Sequence, residues 1–321
     1  MHLLTQIKRR FLVSTPVSFL IRRSKKVFLP GFQGIPLFDV IRFFFLQASK
    51  TGFTERASAI AFDFTMTIPP AVIFLFTLIP HLPISKEFIN QLFSLIKDVM
   101  PGEKNNEVLI KFLSDILNKP RTGLLSTGFL LAMFFSSNAV MGVMRSFDKN
   151  YIGFTKRKEF HERIVALRLT FILFILFFIS ILALIMQGSV LRWLGITNTT
   201  LISVINNLRW IVIVLMFFFS ISFIYRYAPA VHKRWRLINP GSILATFLMI
   251  IFTAGFSYWV SNFSNYNELY GSISTVLILM LLIYFNSLVL LIGFELNVSI
   301  NSLKHEVDER NKNLAGGIHS A

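Results

Sequence analysis

Asp63 is the first residue whose type and place could do chemistry. It stands about six residues into an apolar run, 57–80, ASAIAFDFTMTIPPAVIFLFTLIP, hence ~9 Å past the start of a helix rising 1.5 Å per residue. An ionised acid at membrane depth is costly, so such a residue faces protein or water. It could contact a proton, an ion or a substrate, or it could neutralise a neighbouring base. In the same run Pro69 and Pro70 remove two backbone donors, which bends or breaks a helix. The freed carbonyls must then be satisfied by neighbouring helices.

Other polar positions belong with Asp63. Arg145 closes the apolar run 122–147 on the side where 57–80 begins, and Glu295 and Asn297 close the run 272–297 on that same side. An Asp63–Arg145 pair with Glu295 and Asn297 close by would neutralise charge and could hold a polar headgroup. Plain helix-to-helix glue is the structural alternative. At helical spacing Asn286, Gly293 and Asn297 share one face of 272–297, with Glu295 pointing elsewhere. On 122–147 the shared face is Gly128, Leu131, Phe135, Asn138, Gly142 and Arg145. Small residues there let backbones approach, and Asn138 can bond across. The candidates for a substrate path are therefore Asp63, Pro69, Pro70, Asn138, Arg145, Asn286, Glu295 and Asn297.

Two connecting segments carry chemistry of their own. The turn 261–271 holds Asn262, Tyr266, Asn267, Glu268, Tyr270 and Gly271. These could gate or contact a ligand at the outer face. Ordinary belt tyrosines and turn-forming Asn and Gly are the alternative. The loop 225–240, YRYAPAVHKRWRLINP, sets Arg226, Lys233, Arg234 and Arg236 around Trp235 with no acid. Interleaved bases and aromatics can bind single-stranded nucleic acid. A short loop between two spans more often contacts anionic lipid headgroups, so membrane lipid is the expected partner and nucleic acid is not.

A hydrolase needs converging groups, and the six histidines, at 2, 81, 161, 232, 305 and 319, are scattered. There is no HExxH, no paired-aspartate motif and no glycine-rich phosphate loop. Cysteine is absent, which removes disulfides and thiolate metal sites. Glu306, Asp308 and Glu309 read as a solvated helix face. No catalytic residue, metal or cofactor is expected.

The elements that must position these residues are membrane helices. The chain has 321 residues, 54% hydrophobic and 15% charged, with a mean hydropathy of +0.63. A soluble domain would need more surface charge. Apolar runs at about 57–80, 122–147, 166–187, 208–228, 240–260 and 272–297 are each long enough to cross a bilayer. The fold class is thus all-α, a polytopic membrane protein with six spans. Residues 1–56 form a basic segment without a signal peptide, and Phe38, Ile41, Phe45 and Ala48 within 37–52 predict an interfacial amphipathic helix. The apolar stripes of 81–120 predict a helical hairpin outside the cytosol, and 301–321 a mobile polar tail. Net charge is +16, and 24 of the 32 Lys and Arg fall on the side of the termini. That places both termini in the cytosol and accounts for the basicity without nucleic acid. No internal repeat is visible, and oligomeric state is not readable.

The stretch 258–297 carries a specific pattern: SNFxxYNxxYGS, then an apolar helix, then Gly293-Phe294-Glu295-Leu296-Asn297. It resembles the YihY/BrkB membrane protein family, formerly labelled ribonuclease BN. ERASAIAFDFTMTIPPAVIFL, GLLSTGF, SSNAVMGVMRSFDKNY and YRYAPAVHKRWRLINPGS extend the likeness over roughly 37–300, while the acid at 63 departs from the family's usual aromatic or small polar residue. The resemblance implies a six-helix protein of the bacterial inner membrane. The reading reached is transport or envelope-lipid handling along a polar path between the first, second and sixth spans. A membrane-tethered ribonuclease and a non-transporting scaffold are the rivals.

Overall fold

A computed structural model describes residues 22–49, 52–78, 122–148, 154–155, 157–193, 199–231, 234–263 and 273–318. The hairpin expected at 81–120 lies outside the described residues. The elements are α1 (Leu37–Ala48), α2 (Phe53–Leu78), α3 (Thr122–Phe147), α4 (Glu159–Trp193), α5 (Thr199–Tyr227), α6 (Pro240–Phe263) and α7 (Ile273–Ile318). Among the described residues there are no strands, and one isolated antiparallel bridge joins Phe154 to Val231. By length and apolar content α2, α3, α4, α6 and α7 can each cross a membrane. In α5 the described apolar stretch is shorter, Ile211–Tyr227, so five to six helices qualify.

Two expectations change. Pro69 and Pro70 sit inside α2 without interrupting it. Packing against α3 along the whole seam holds the helix through them. Residues 301–318 continue α7 as helix rather than forming a mobile tail. Good helix formers without proline, and the i,i+4 pairs Lys304–Asp308 at 2.9 Å and His305–Glu309 at 3.6 Å, carry it on. At 46 residues, α7 is about 69 Å long. That is twice the ~30 Å hydrocarbon core, so its last turns stand clear of a bilayer.

The core gathers at the end of the bundle where α2, α4 and α6 begin. Phe147 stacks on Phe294 with centroids 3.8 Å apart and planes within 3°. Tyr225 and Trp235 pack against the same Phe294, and the Tyr225 hydroxyl donates to Leu290 O at 2.6 Å. Helix α1 lies across α7 through Val40, with Phe32 and Ile35 seated near Ile300. Its other face exposes Ile41, Phe45 and Leu46.

Arg157 ties the loop before α4 to the end of α5. It donates to Ala228 O at 2.8 Å, Pro229 O at 2.9 Å and Tyr227 O at 3.4 Å, carbonyls at and just past the end of α5, where intrahelical donors run out. Thr155 N donates to Ala230 O at 2.7 Å beside it. Burial pulls the Arg157 pKa below its ordinary value, and Asp148 and Glu162 push it back up. Replacing Arg157 with Met should cost about 2 kcal/mol, the worth of a charge-assisted hydrogen bond to backbone, read as a lower midpoint of thermal unfolding in detergent.

Candidate functional site

The polar residues of the helices separate into two clusters. The first locks α2 and α6 onto α7. Arg56 Nη1 donates to Glu295 Oε1 at 2.7 Å, with the side chains 7% and 0% exposed. Asn297 Oδ1 accepts from Gly241 N at 2.9 Å, and its Nδ2 donates to Asn239 Oδ1 at 2.7 Å. Asn239 is the N-cap of α6: its Oδ1 also accepts from Ser242 N at 2.8 Å, three positions on, with Pro240 between them at the first helical turn. Asn301 Nδ2 donates to Asn297 O at 2.8 Å, and Gln33 Nε2 to Asn301 Oδ1 at 3.2 Å. The hydrogen bonds thus run from the N-terminal segment through α7 to α6.

Glycines make this closeness possible. A Cβ on Gly293 would lie 2.5 Å from Tyr225 Oη and 2.6 Å from Gly241 O. Gly241 and Ala245 both face Gly293, so the α6–α7 crossing is backbone on backbone. Gly31, at φ +88°, takes a turn conformation that side chains avoid, and a Cβ there would meet Pro240 Cγ at 2.8 Å.

The second cluster lies where α3 meets α2 and α4. A carboxylate oxygen of Asp63 rests where a Cβ on Gly142 would stand. One turn on, Thr67 Oγ1 is 3.0 Å from Asp63 O and 3.3 Å from Phe135 O of α3. Gly128 continues the seam against Phe74. The α3 face predicted from spacing therefore meets α2 at Gly128, Phe135 and Gly142. Helical drift turns Leu131 outward. Asn138 turns to α4, where Arg163 Nη1 donates to its Oδ1 and the guanidinium sits 5.0 Å from the Phe134 ring centroid.

The single cluster expected of Asp63, Arg145, Glu295 and Asn297 is thus divided. The Arg145 side chain is exposed, and its ion pair, at 4.0 Å, is with Glu162. Glu295 is taken by Arg56. Asn286 bonds Leu282 O of its own helix at 2.9 Å and approaches Thr253 of α6 at 3.5 Å. Pro69 is exposed and Pro70 buried.

In the basic loop Trp235 is a core residue, packed on Phe154 and Phe294, not a headgroup contact. A buried indole brings a large apolar surface to the core. Arg234 and Arg236 are exposed, and Arg226 and Arg234 both lie over the Tyr227 ring. Lys233, Tyr266, Asn267, Glu268, Tyr270 and Gly271 lie outside the described residues, and Asn262 falls within the last turn of α6. The sequence carries no sign of the partners of Arg56, Arg157 and Arg163: Arg56 precedes an apolar run and Arg163 follows a loop, places where a base reads only as a topology charge.

Comparison with known proteins fits this architecture. The model of the family described as virulence factor BrkB matches residues 44–316. YfkH of Bacillus subtilis (strain 168), named as ribonuclease-like, is 27% identical over 259 residues, 79% of this chain and 92% of that protein. A UPF0761 membrane protein of Xanthomonas campestris pv. campestris (strain B100) is 36% identical over 89 residues, 28% of this chain and 21% of its own length. One from Tolumonas auensis is 31% identical over 81 residues, 25% of this chain and 27% of its own length. The chain therefore spans only about a quarter of those two relatives. No solved structure matches.

Proposed function

This chain belongs to the BrkB virulence factor family, a family of membrane proteins, and from that premise we propose that it moves or hands on an envelope lipid in the bacterial inner membrane. The observation that carries the reading is the seam of α2, α3 and α4. It holds an acid, an amide and a bonded guanidinium on helices long and apolar enough to span a membrane. Ionisable groups there are costly to keep and mark pathways by default. The path runs between α2, α3 and α4 rather than along α7, because Glu295 and Asn297 are spent on Arg56, Gly241 and Asn239. α5 completes a set of six spans. Both termini then lie in the cytosol with the basic loops, where Arg234 and Arg236 meet anionic headgroups.

Both parts of the reading have a direct test. The chain has no cysteine, so a single Cys at Arg234 reports its side of the membrane without background. It should react with an impermeant maleimide only after the inner membrane is opened. Labelling in intact spheroplasts would overturn the topology. In liposomes the purified protein should carry fluorescent phospholipid across the bilayer, read by quenching of the outer leaflet. Asp63→Asn should slow this at least tenfold with the fold intact. Wild-type rates in that variant would remove the seam from the path.

A further inference from the structure

Next to the seam, deeper along the helices, α2, α3 and α4 enclose a cavity of about 230 Å³. Phe64 and Phe74 of α2, Ala139 of α3, and Thr170, Phe174 and Phe177 of α4 line it. It is elongated along the helix axes. Phe64 to Phe74 spans ten residues, about 15 Å, and Thr170 to Phe177 spans seven, about 10 Å. Phe177 is 44% exposed, so the cavity reaches the side of the bundle that a bilayer covers. Only hydrocarbon is at hand there.

Thr170 marks one end. It is 1% exposed, and its hydroxyl has no hydrogen-bond partner among the described residues. Arg168, two residues earlier, is the last charged residue before the apolar run of α4. Thr170 therefore lies about 3 Å beyond the last charge, at the level where the ester carbonyls of a glycerophospholipid lie beneath its phosphate. A buried hydroxyl at that level lacks an acceptor, and an ester supplies one.

Resting on the lipid-handling reading, we propose that this cavity holds one acyl chain of a glycerophospholipid from the leaflet on the α4 N-terminal side, with Thr170 donating to its ester carbonyl. An apolar cavity of ~150 Å³ stays dry and takes benzene, so a larger one takes hydrocarbon rather than water. At ~30 Å³ per water-sized group it accommodates roughly seven or eight methylenes. Inside a membrane the hydrophobic effect does not favour such a transfer, because lipid tails are as apolar as leucine. Dispersion contacts with the phenyl rings and the single hydrogen bond set the preference. Chain selection is thus by shape and headgroup selection is left to the seam.

The test uses the full chain in liposomes containing phosphatidylethanolamine with a diazirine in mid-chain. After irradiation, peptides are mapped. The lining positions should be labelled more than Phe171, which is 53% exposed on the same helix and meets bulk lipid. Ala139→Phe fills the cavity and should lower lining labels at least tenfold. Should that variant fail to fold, Thr170→Val decides. It should lower labelling about fivefold, the ratio that one neutral hydrogen bond supplies, with the diester lipid and not with its diether analogue, which has no carbonyl. Lining labels no greater than Phe171, or equal Thr170→Val effects on both lipids, would overturn the assignment. Chain capture by a protein that moves no lipid would support the cavity and sink the transport reading instead.

Discussion

Replacing Glu295 with Gln is expected to cost the folded protein about 3–5 kcal/mol, the range for breaking a fully buried ion pair. Glutamine keeps the shape and can still accept from Arg56, so packing is not what changes. The loss leaves the Arg56 guanidinium charged inside the bundle, with Nε and Nη2 already without hydrogen-bond partners among the described residues. Arg56→Met should do comparable harm by removing the buried cation that faces the carboxylate. The double variant Arg56→Met with Glu295→Leu should return most of the loss, since replacing both members by apolar groups is often neutral or stabilising. Unfolding midpoints of the wild type, Arg56→Met, Glu295→Leu and their double variant in one detergent give the cycle. A double variant as unstable as the sum of the singles would mean that the pair is not what holds α2 to α7.

Gly293→Ala is expected to cost about 3 kcal/mol, the upper part of the range for an overpacked site. The added methyl falls within 2.7 Å of Tyr225 Oη, Gly241 O and Ala245 Cβ at once. Gly241 O is backbone of α6, and Tyr225 is fully buried and held by its bond to Leu290 O, so neither can step aside cheaply. Relief requires α6 and α7 to separate. That would also stretch the Asn297 bonds to Gly241 and Asn239. Gly293→Val should leave little folded protein. Thermal unfolding of the alanine variant near wild type would show that the crossing has slack.

The helices were legible because bilayer physics leaves a strong mark. An apolar run of about 20 residues can hardly be anything else, and the breakers at 80–120 and 228–240 separate them. The α2–α3 seam was legible too, because Gly128 and Gly142 recur at helical spacing. What stayed hidden was partnership. Arg145 and Glu295 both close apolar runs at the same end, and depth alone could not say that Arg56 takes Glu295 and Glu162 takes Arg145. Rotation of each helix decides this, and the low amphipathicity of membrane helices does not encode it. A tryptophan among arginines has the composition of an interface, yet Trp235 packs on Phe154 and Phe294 in the core. The extension of α7 was missed because polarity near the chain end was read as mobility, when its i,i+4 charge spacing favours helix.

Lipid movement in liposomes, compared between Asp63→Asn and the Arg56→Met/Glu295→Leu double variant, separates path from lock most directly. Both proteins should keep the packing of their helices, which their unfolding midpoints check. Loss of movement with Asp63→Asn, and near wild-type rates with the double variant, is the expected result. Wild-type rates with Asp63→Asn and loss with the double variant would put the path at α7 and contradict the division of the polar residues drawn above.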